Sequence, residues 1–154
     1  MRLLLKPYKR EYYWDYFFIK ENLREIDKKE VLLSGTNMEE WIGDKNQKEV
    51  YIGYIEENTF LIPVLIYGIY SVNHEWGNVI WCIGTDDIKK CTRDFIVKSK
   101  EQIDKWKKEY GSMWNYVLTE NTKSIKWLTH MGASWGEPLV VNGNEWVFFQ
   151  LKGE

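Results

Sequence analysis

The side chains best suited to metal binding or nucleophilic chemistry are Cys82, Cys91, His74 and His130. Their spacing fits no metal-binding signature, so the sequence predicts no metal site. Two cysteines do not make a disulfide scaffold, and reduced thiols packed as small apolar side chains are expected. Cys91 falls on an apolar helical stripe, which favours a core position over a nucleophilic one.

The other titratable side chains give no strong candidate for catalysis or binding. Glu25, Asp27 and Glu30 could line a substrate groove, although carboxylates on a helix surface are usually just solvated. His74 and Glu75 fall in a predicted turn, where polar residues need no function. No glycine-rich phosphate loop, Ser/His/Asp arrangement or well-spaced carboxylate pair is found. The catalytic residues, if there are any, are therefore left unassigned.

Length and charge limit the possible functions. The 154 residues suit one domain, residues 1–154, and the net charge of −2 argues against a dedicated nucleic-acid binder. No apolar run approaches the length of a membrane span, and the N-terminus lacks the features of a signal peptide. We therefore expect a protein that is not secreted by a signal peptide and that has no membrane or nucleic-acid partner.

The hydrophobic pattern predicts the elements that must position these residues. Apolar residues at helical spacing predict two helices from Glu11 to Gly35 with a break near Asn22, and a capping box at Thr36–Glu39 predicts a third. Asp86 or Asp87 can cap a long helix that Gly111 ends, and Asn121 can cap a shorter one. Strands are predicted at Arg2–Lys6, Val50–Ile55, Phe60–Ser71, Asn78–Gly84, Met113–Leu118, Leu139–Val141 and Glu145–Leu151.

The order β-α-α-α-β-β-β-α-β-α-β-β predicts an α+β protein with a mixed sheet. Nine tryptophans have to be placed on it. Five fall on predicted apolar faces and are expected in the core: Trp14, Trp41, Trp81, Trp106 and Trp127. Four are less easily buried by pattern and would favour a docking surface if they were exposed side by side: Trp76, Trp114, Trp135 and Trp146.

Three stretches carry a family resemblance: Glu21–Asp27 with Leu33–Gly35, Ile80–Thr85 before the long helix, and Asn115–Val117 followed by Asn121–Thr122 and Ile125–Ala133. With the element order, they resemble the GCN5-related N-acetyltransferase (GNAT) fold over nearly the whole chain. The narrower likeness is to the GNAT-like internal virion protein A family of podoviruses. The resemblance implies a three-layer architecture around a mixed, mostly antiparallel sheet, the acyl-CoA N-acyltransferase fold.

In active members of this superfamily, backbone N–H groups at the start of the long helix hold the pyrophosphate of acetyl-CoA. The resemblance places that role on Ile83, Gly84 and Thr85, with Asn121 as a further cofactor contact, if acetyl-CoA is bound at all. The glycine signature Gln/Arg-x-x-Gly-x-Gly/Ala is missing here. Asp86 and Asp87 would set carboxylates where the pyrophosphate should lie, whereas both are well suited to an empty helix N-terminus.

The second superfamily segment matches the family pattern only in part and lacks the side chain that carries its chemistry. Leu128 stands where a tyrosine usually protonates the leaving thiolate, and leucine cannot donate a proton. Ala133 replaces the usual phenylalanine. His130 lies two residues from the vacant position but on another side of the helix, and an exposed histidine is the plainer interpretation.

Three functions therefore stay open. The first is a phage protein with degenerate acetyl-CoA motifs, acting without catalysis in the virion or its assembly and needing no cofactor. The second is an active N-acetyltransferase that uses acetyl-CoA. The third is a regulatory or counter-defence module that binds a host protein. All three are kept because a fold does not fix a function. The resemblance implies phage virion or host proteins as partners, and the virion or the host cytoplasm as the location.

Overall fold

The structure is a computed structural model that describes residues 1–153. The described residues fall into two compact units, one formed by 1–70 and 81–97, the other by 71–80 and 98–153. The prediction of a single domain stays a prediction.

The first unit contains a four-strand segment with the order β1-β2-β3-β4. Strands β1 to β3 pair antiparallel, with Leu5 opposite Gly53 and Ile52 opposite Ile66. The strands are β1 (Leu3–Pro7), β2 (Gln47–Glu57), β3 (Phe60–Tyr70) and β4 (Asn78–Gly84), of which the last begins in the second unit. The helices are α1 (Tyr13–Glu21), α2 (Glu25–Ser34), α3 (Met38–Ile42) and the first residues of α4 (Thr92–Tyr110).

The two faces of this sheet belong to separate core clusters. One cluster joins Tyr16 and Ile19 of α1 to Ile52, Ile66 and other strand residues. The other joins buried residues of β1 to β3 to Cys91 and is flanked by Ile88 and Phe95: Leu3, Ile55, Val64 and Leu65. Strand side chains alternate between faces, so each face can hold its own helical layer. The three-layer expectation is met in this unit.

Local chemistry explains where the helices start and stop. Gly35 adopts the left-handed conformation that ends α2, with φ of 71°. Asn37, rather than Thr36, caps α3 through a side-chain acceptor for the N–H of Glu40. The long helix is also capped differently from the prediction. Thr85 caps a 3₁₀ segment over Asp86–Cys91, and α4 itself begins only at Thr92.

Trp14 corrects the predicted core. Its side chain is 73% exposed, whereas Tyr16 and Ile19 of the same helix are buried. At 100° per residue, Trp14 lies about 200° from Tyr16 around the helix axis, so the two cannot share the buried face. Trp81 and Trp106 are buried as predicted, and Trp41 and Trp127 are partly buried.

The second unit contains β5 (Met113–Leu118), α5 (Thr122–His130), β6 (Ser134–Trp135), β7 (Leu139–Val141) and β8 (Asn144–Leu151). The start of β4 pairs parallel with β5 at Asn78–Met113 and Val79–Trp114. Antiparallel β8 lies between β5 on one side and β6 and β7 on the other. The predicted mixed α+β fold with a mostly antiparallel sheet is confirmed, and β6 is the one strand of residues 1–153 that the sequence did not indicate.

Candidate functional site

The cofactor residues implied by the resemblance lie at the end of β4 and at the start of α5. Ile83, Gly84 and Thr85 are consecutive and buried in the first unit. Asn121 belongs to the second unit, where it is buried as the N-cap of α5 and accepts a hydrogen bond from the N–H of Ser124 at 3.3 Å. The capping role predicted for Asn121 is confirmed, and its cofactor role stays a prediction.

Backbone N–H groups near the end of β4 are engaged by the protein itself. The N–H of Gly84 donates to Oδ2 of Asp27 at 2.9 Å, and the N–H of Thr85 donates to the carbonyl of Val64 at 2.8 Å. Thr85 in turn accepts from Asp87 through its hydroxyl and from Ile88 through its carbonyl, both at 3.2 Å. Four donors that could face an anion are therefore already satisfied.

Asp27 is the residue at this site that sequence reasoning placed wrongly. It was expected on a solvated helix surface, but it is 3% exposed. Besides Gly84, it accepts two hydrogen bonds from Arg24, from Nε at 3.1 Å and from Nη2 at 2.8 Å. Burial opposes the charge of Arg24, but the hydrogen bonds and charge of Asp27 outweigh it and raise the pKa of the guanidinium. The signal available in the sequence was the Arg-x-x-Asp spacing at the start of a helix.

The connection between α1 and α2 is tied to the end of β4 by its backbone as well. The N–H of Arg24 donates to the carbonyl of Gly84 at 2.9 Å, and Leu23 forms an isolated antiparallel bridge with Thr85. Gly84 thus has both its N–H and its C=O bound by residues 24–27. These contacts therefore occupy backbone groups that the resemblance assigns to ligand binding.

Gly84 itself is explained by packing. A Cβ there would lie 2.9 Å from the carbonyl oxygen of Val64 and would collide with the side chain of Ile88. The glycine is therefore required by close contact within the first unit, without any need for a phosphate to approach the backbone.

Carboxylates occupy the region where the resemblance expects an anion. Asp86 is exposed, and Asp87 lies 3.4 Å from Nζ of Lys90, which also pairs with Glu57 at 3.3 Å. Both aspartates stand in the first turn of the 3₁₀ segment that Thr85 caps. Satisfied N–H groups next to two carboxylates do not fit a pyrophosphate.

The remaining candidates from the sequence are the helix position of Leu128, His130 and the two cysteines. Leu128, at the position of the usual proton-donating tyrosine, is buried, and His130 is exposed at the end of α5. Burial raises the pKa of the Cys82 thiol to about 12, so it stays protonated near neutral pH. Cys91 is buried, and its thiol donates to the carbonyl of Ile88. Within residues 1–153, no group of acidic, histidine or cysteine side chains is arranged to hold a metal ion.

Aromatic rings form a contiguous cluster in the second unit. Trp76 lies 5.3 Å from Trp114, 4.5 Å from Phe148 and 4.4 Å from His74, measured between ring centroids. The tryptophans and Phe148 are partly buried against one another. Trp135 lies apart from them, against Phe149 at 5.8 Å. The rings therefore cover much of one another's apolar surface.

None of the helices in the part of the chain from 1 to 153 combines the length and hydrophobicity needed to cross a bilayer.

Comparisons with known proteins relate the chain to phage proteins by sequence. The family model described as "Bacteriophage T7, probable scaffold protein Gp13" matches residues 63–139, half of the chain. The probable scaffold protein gp13 of Escherichia phage T7 is 28% identical over 97 residues, which cover 60% of this chain and 70% of that protein.

Solved structures share the fold. The crystal structure of smu.2055 from Streptococcus mutans UA159 matches with a TM-score of 0.69 at 12% identity, covering 97% of this chain and 98% of that one. A chimera of the spermidine N-acetyltransferase SpeG from Vibrio cholerae and hSSAT matches with a TM-score of 0.64 at 14% identity, covering 97% and 96%. The chain therefore has the GNAT fold, as the sequence resemblance implied, and such low identities speak for the fold alone.

Proposed function

The chain belongs to the family described as bacteriophage T7 probable scaffold protein Gp13, and from this premise we propose that it is a non-catalytic phage protein of virion assembly. It uses the acetyltransferase fold for its shape. Its partners in this role are other protein components of the phage particle.

One observation carries the non-catalytic part of the proposal: the N–H of Gly84 is bound by the buried carboxylate of Asp27. A ligand that used this donor would have to displace a carboxylate held by Arg24 as well. Leaving a buried charge without its partners is costly, so the intramolecular contact outcompetes an ordinary hydrogen-bond acceptor.

The residue at the position of the usual proton donor points the same way. Transfer of an acetyl group to an amine leaves a thiolate that has to be protonated, and Leu128 cannot supply a proton. The protonated thiol of Cys82 is likewise a poor nucleophile for an acyl-enzyme route.

The alternative is an active, acetyl-CoA-dependent N-acetyltransferase. It would bind its cofactor through the backbone of Ile83, Gly84 and Thr85, and the contacts of Asp27 would have to open first. Isothermal titration of acetyl-CoA into the purified protein, with free CoA as the ligand control, separates the two functions. The proposal expects no heat of binding at millimolar ligand. Micromolar binding would overturn the non-catalytic reading.

The assembly role needs a separate test. Mass spectrometry of purified phage particles and of assembly intermediates should detect the protein in at least one of them. Deletion of its gene should reduce the yield of complete particles. A deletion phage that assembles in normal yield, together with absence of the protein from every particle fraction, would refute the role even if acetyl-CoA does not bind.

A further inference from the structure

Strand β7 presents an unusual open edge in the second unit. Its three residues, Leu139, Val140 and Val141, are all apolar and are 54%, 62% and 46% exposed. Within residues 1–153, β7 pairs with β8 alone. Natural sheet edges are usually blunted by charged side chains, and none of these three residues is charged.

The hairpin geometry shows which backbone groups of β7 face outward. Asn142 and Gly143 form a two-residue turn with φ of 51° and 79°, and Val141 lies opposite Asn144. In such a hairpin the pair next to the turn exchanges hydrogen bonds and the following pair does not. Val140, opposite Glu145, therefore directs its N–H and its C=O away from β8. In agreement, the carbonyl of Glu145 turns from β7 and accepts from the N–H of Thr119 at 3.0 Å.

We propose that this edge is the docking surface for a second copy of the chain. The two β7 strands pair antiparallel around a two-fold axis, with Val140 opposite Val140 of the other copy. Each Val140 then donates its N–H to the carbonyl of its mate and accepts in return, because a two-fold interface makes every contact twice. One sheet thus continues from one copy into the other.

Charge and shape around Val140 favour a second copy as the occupant. In this register Leu139 faces Val141 of the other copy, so apolar side chains meet apolar side chains. Glu137, the one charged residue between 136 and 144, faces Gly143 of the other copy rather than a like charge. Pro138 contributes no N–H, which leaves Val140 as the outward donor and disfavours slipped registers.

The small size of the contact sets its strength. Two reciprocal hydrogen bonds and six apolar side chains bury less area than the 1,200–2,000 Å² that is usual for stable complexes. We therefore expect a reversible dimer with a dissociation constant of about micromolar or above.

Sedimentation velocity over a roughly hundredfold range of protein concentration tests this, since dimerisation follows mass action. Val140→Lys sets two ammonium groups against each other, and Val140→Pro removes the outward N–H without removing a bond to β8. Val97→Lys is the matched control, because Val97 on α4 is also exposed, at 49%, and lies outside this edge. Circular dichroism verifies that each variant is folded.

The expected result is dimerisation of the wild type and of Val97→Lys with the same affinity, and at least a tenfold loss in both Val140 variants. A wild type that stays monomeric at the highest concentration would overturn the proposal. So would folded Val140 variants that dimerise as well as the wild type, since the contact would then lie elsewhere. Neither outcome depends on whether the protein is catalytic.

Discussion

Removal of the Asp27 carboxylate should be among the most destabilising single changes in the first unit. Asp27→Ala leaves the buried N–H of Gly84 without an acceptor, which costs about 1–3 kcal/mol. It also leaves Arg24 without its partner, although Arg24 is 21% exposed and can regain some hydration. We expect a total loss of about 3–4 kcal/mol in the free energy of unfolding, or about 6–16 °C in Tm for a chain of this length.

Two further variants separate the hydrogen bond from the charge. Asp27→Asn keeps an oxygen that can accept from Gly84 but removes the charge that faces Arg24, so it should cost about 1–2 kcal/mol. Glu25→Ala, an exposed carboxylate of the same helix, should change stability by less than about 0.5 kcal/mol.

Urea unfolding followed by circular dichroism measures all three. The order of loss should be Asp27→Ala, then Asp27→Asn, then Glu25→Ala. If Asp27→Ala is no more destabilising than Glu25→Ala, then the carboxylate does not hold the end of β4, and the argument against cofactor binding loses its main support.

Three other predictions follow from local contacts. Cys82, with a pKa of about 12, should be alkylated by iodoacetamide near pH 8 at least about a hundredfold more slowly than in unfolded protein, as peptide mass spectrometry can show. Thr59 has φ of 69°, which a β-branched residue rarely adopts, so Thr59→Gly should raise the free energy of unfolding by about 0.5–1 kcal/mol, against a loss for Gly143→Ala. A hydrogen bond from Lys20 lowers the pKa of Glu39, so this carboxylate stabilises the fold above its unfolded pKa of about 4.3 and loses that effect as the pH falls through its folded pKa. Because the pair is exposed, Glu39→Gln should cost less than about 1 kcal/mol near neutral pH and nearly nothing near pH 3, and an equal cost at both would contradict this.

Apart from β6, the sequence alone determined the order of the strands and α-helices and most of their boundaries. Helices and strands differ in the period of their apolar residues, and that period is local, so α1, α2 and the strands β3 to β5 were recognisable. Gly35 and Asn121 marked helix ends because their chemistry suits those positions in any protein. The resemblance to the GNAT fold came from short sequence stretches and the element order, and the comparisons confirm it.

The tertiary structure alone decided the state of the candidate site. From the sequence, Asp27 looks like an ordinary solvated carboxylate on a helix. In the structure it accepts from the N–H of Gly84 on β4, which is 57 residues away along the chain. From the sequence, Trp14 was expected in the core. The packing of Tyr16 and Ile19 shows that the opposite side of α1 faces inward. Period and capping are properties of a short segment. The partner of a buried hydrogen-bond donor, in contrast, depends on which distant group the folded chain places next to it.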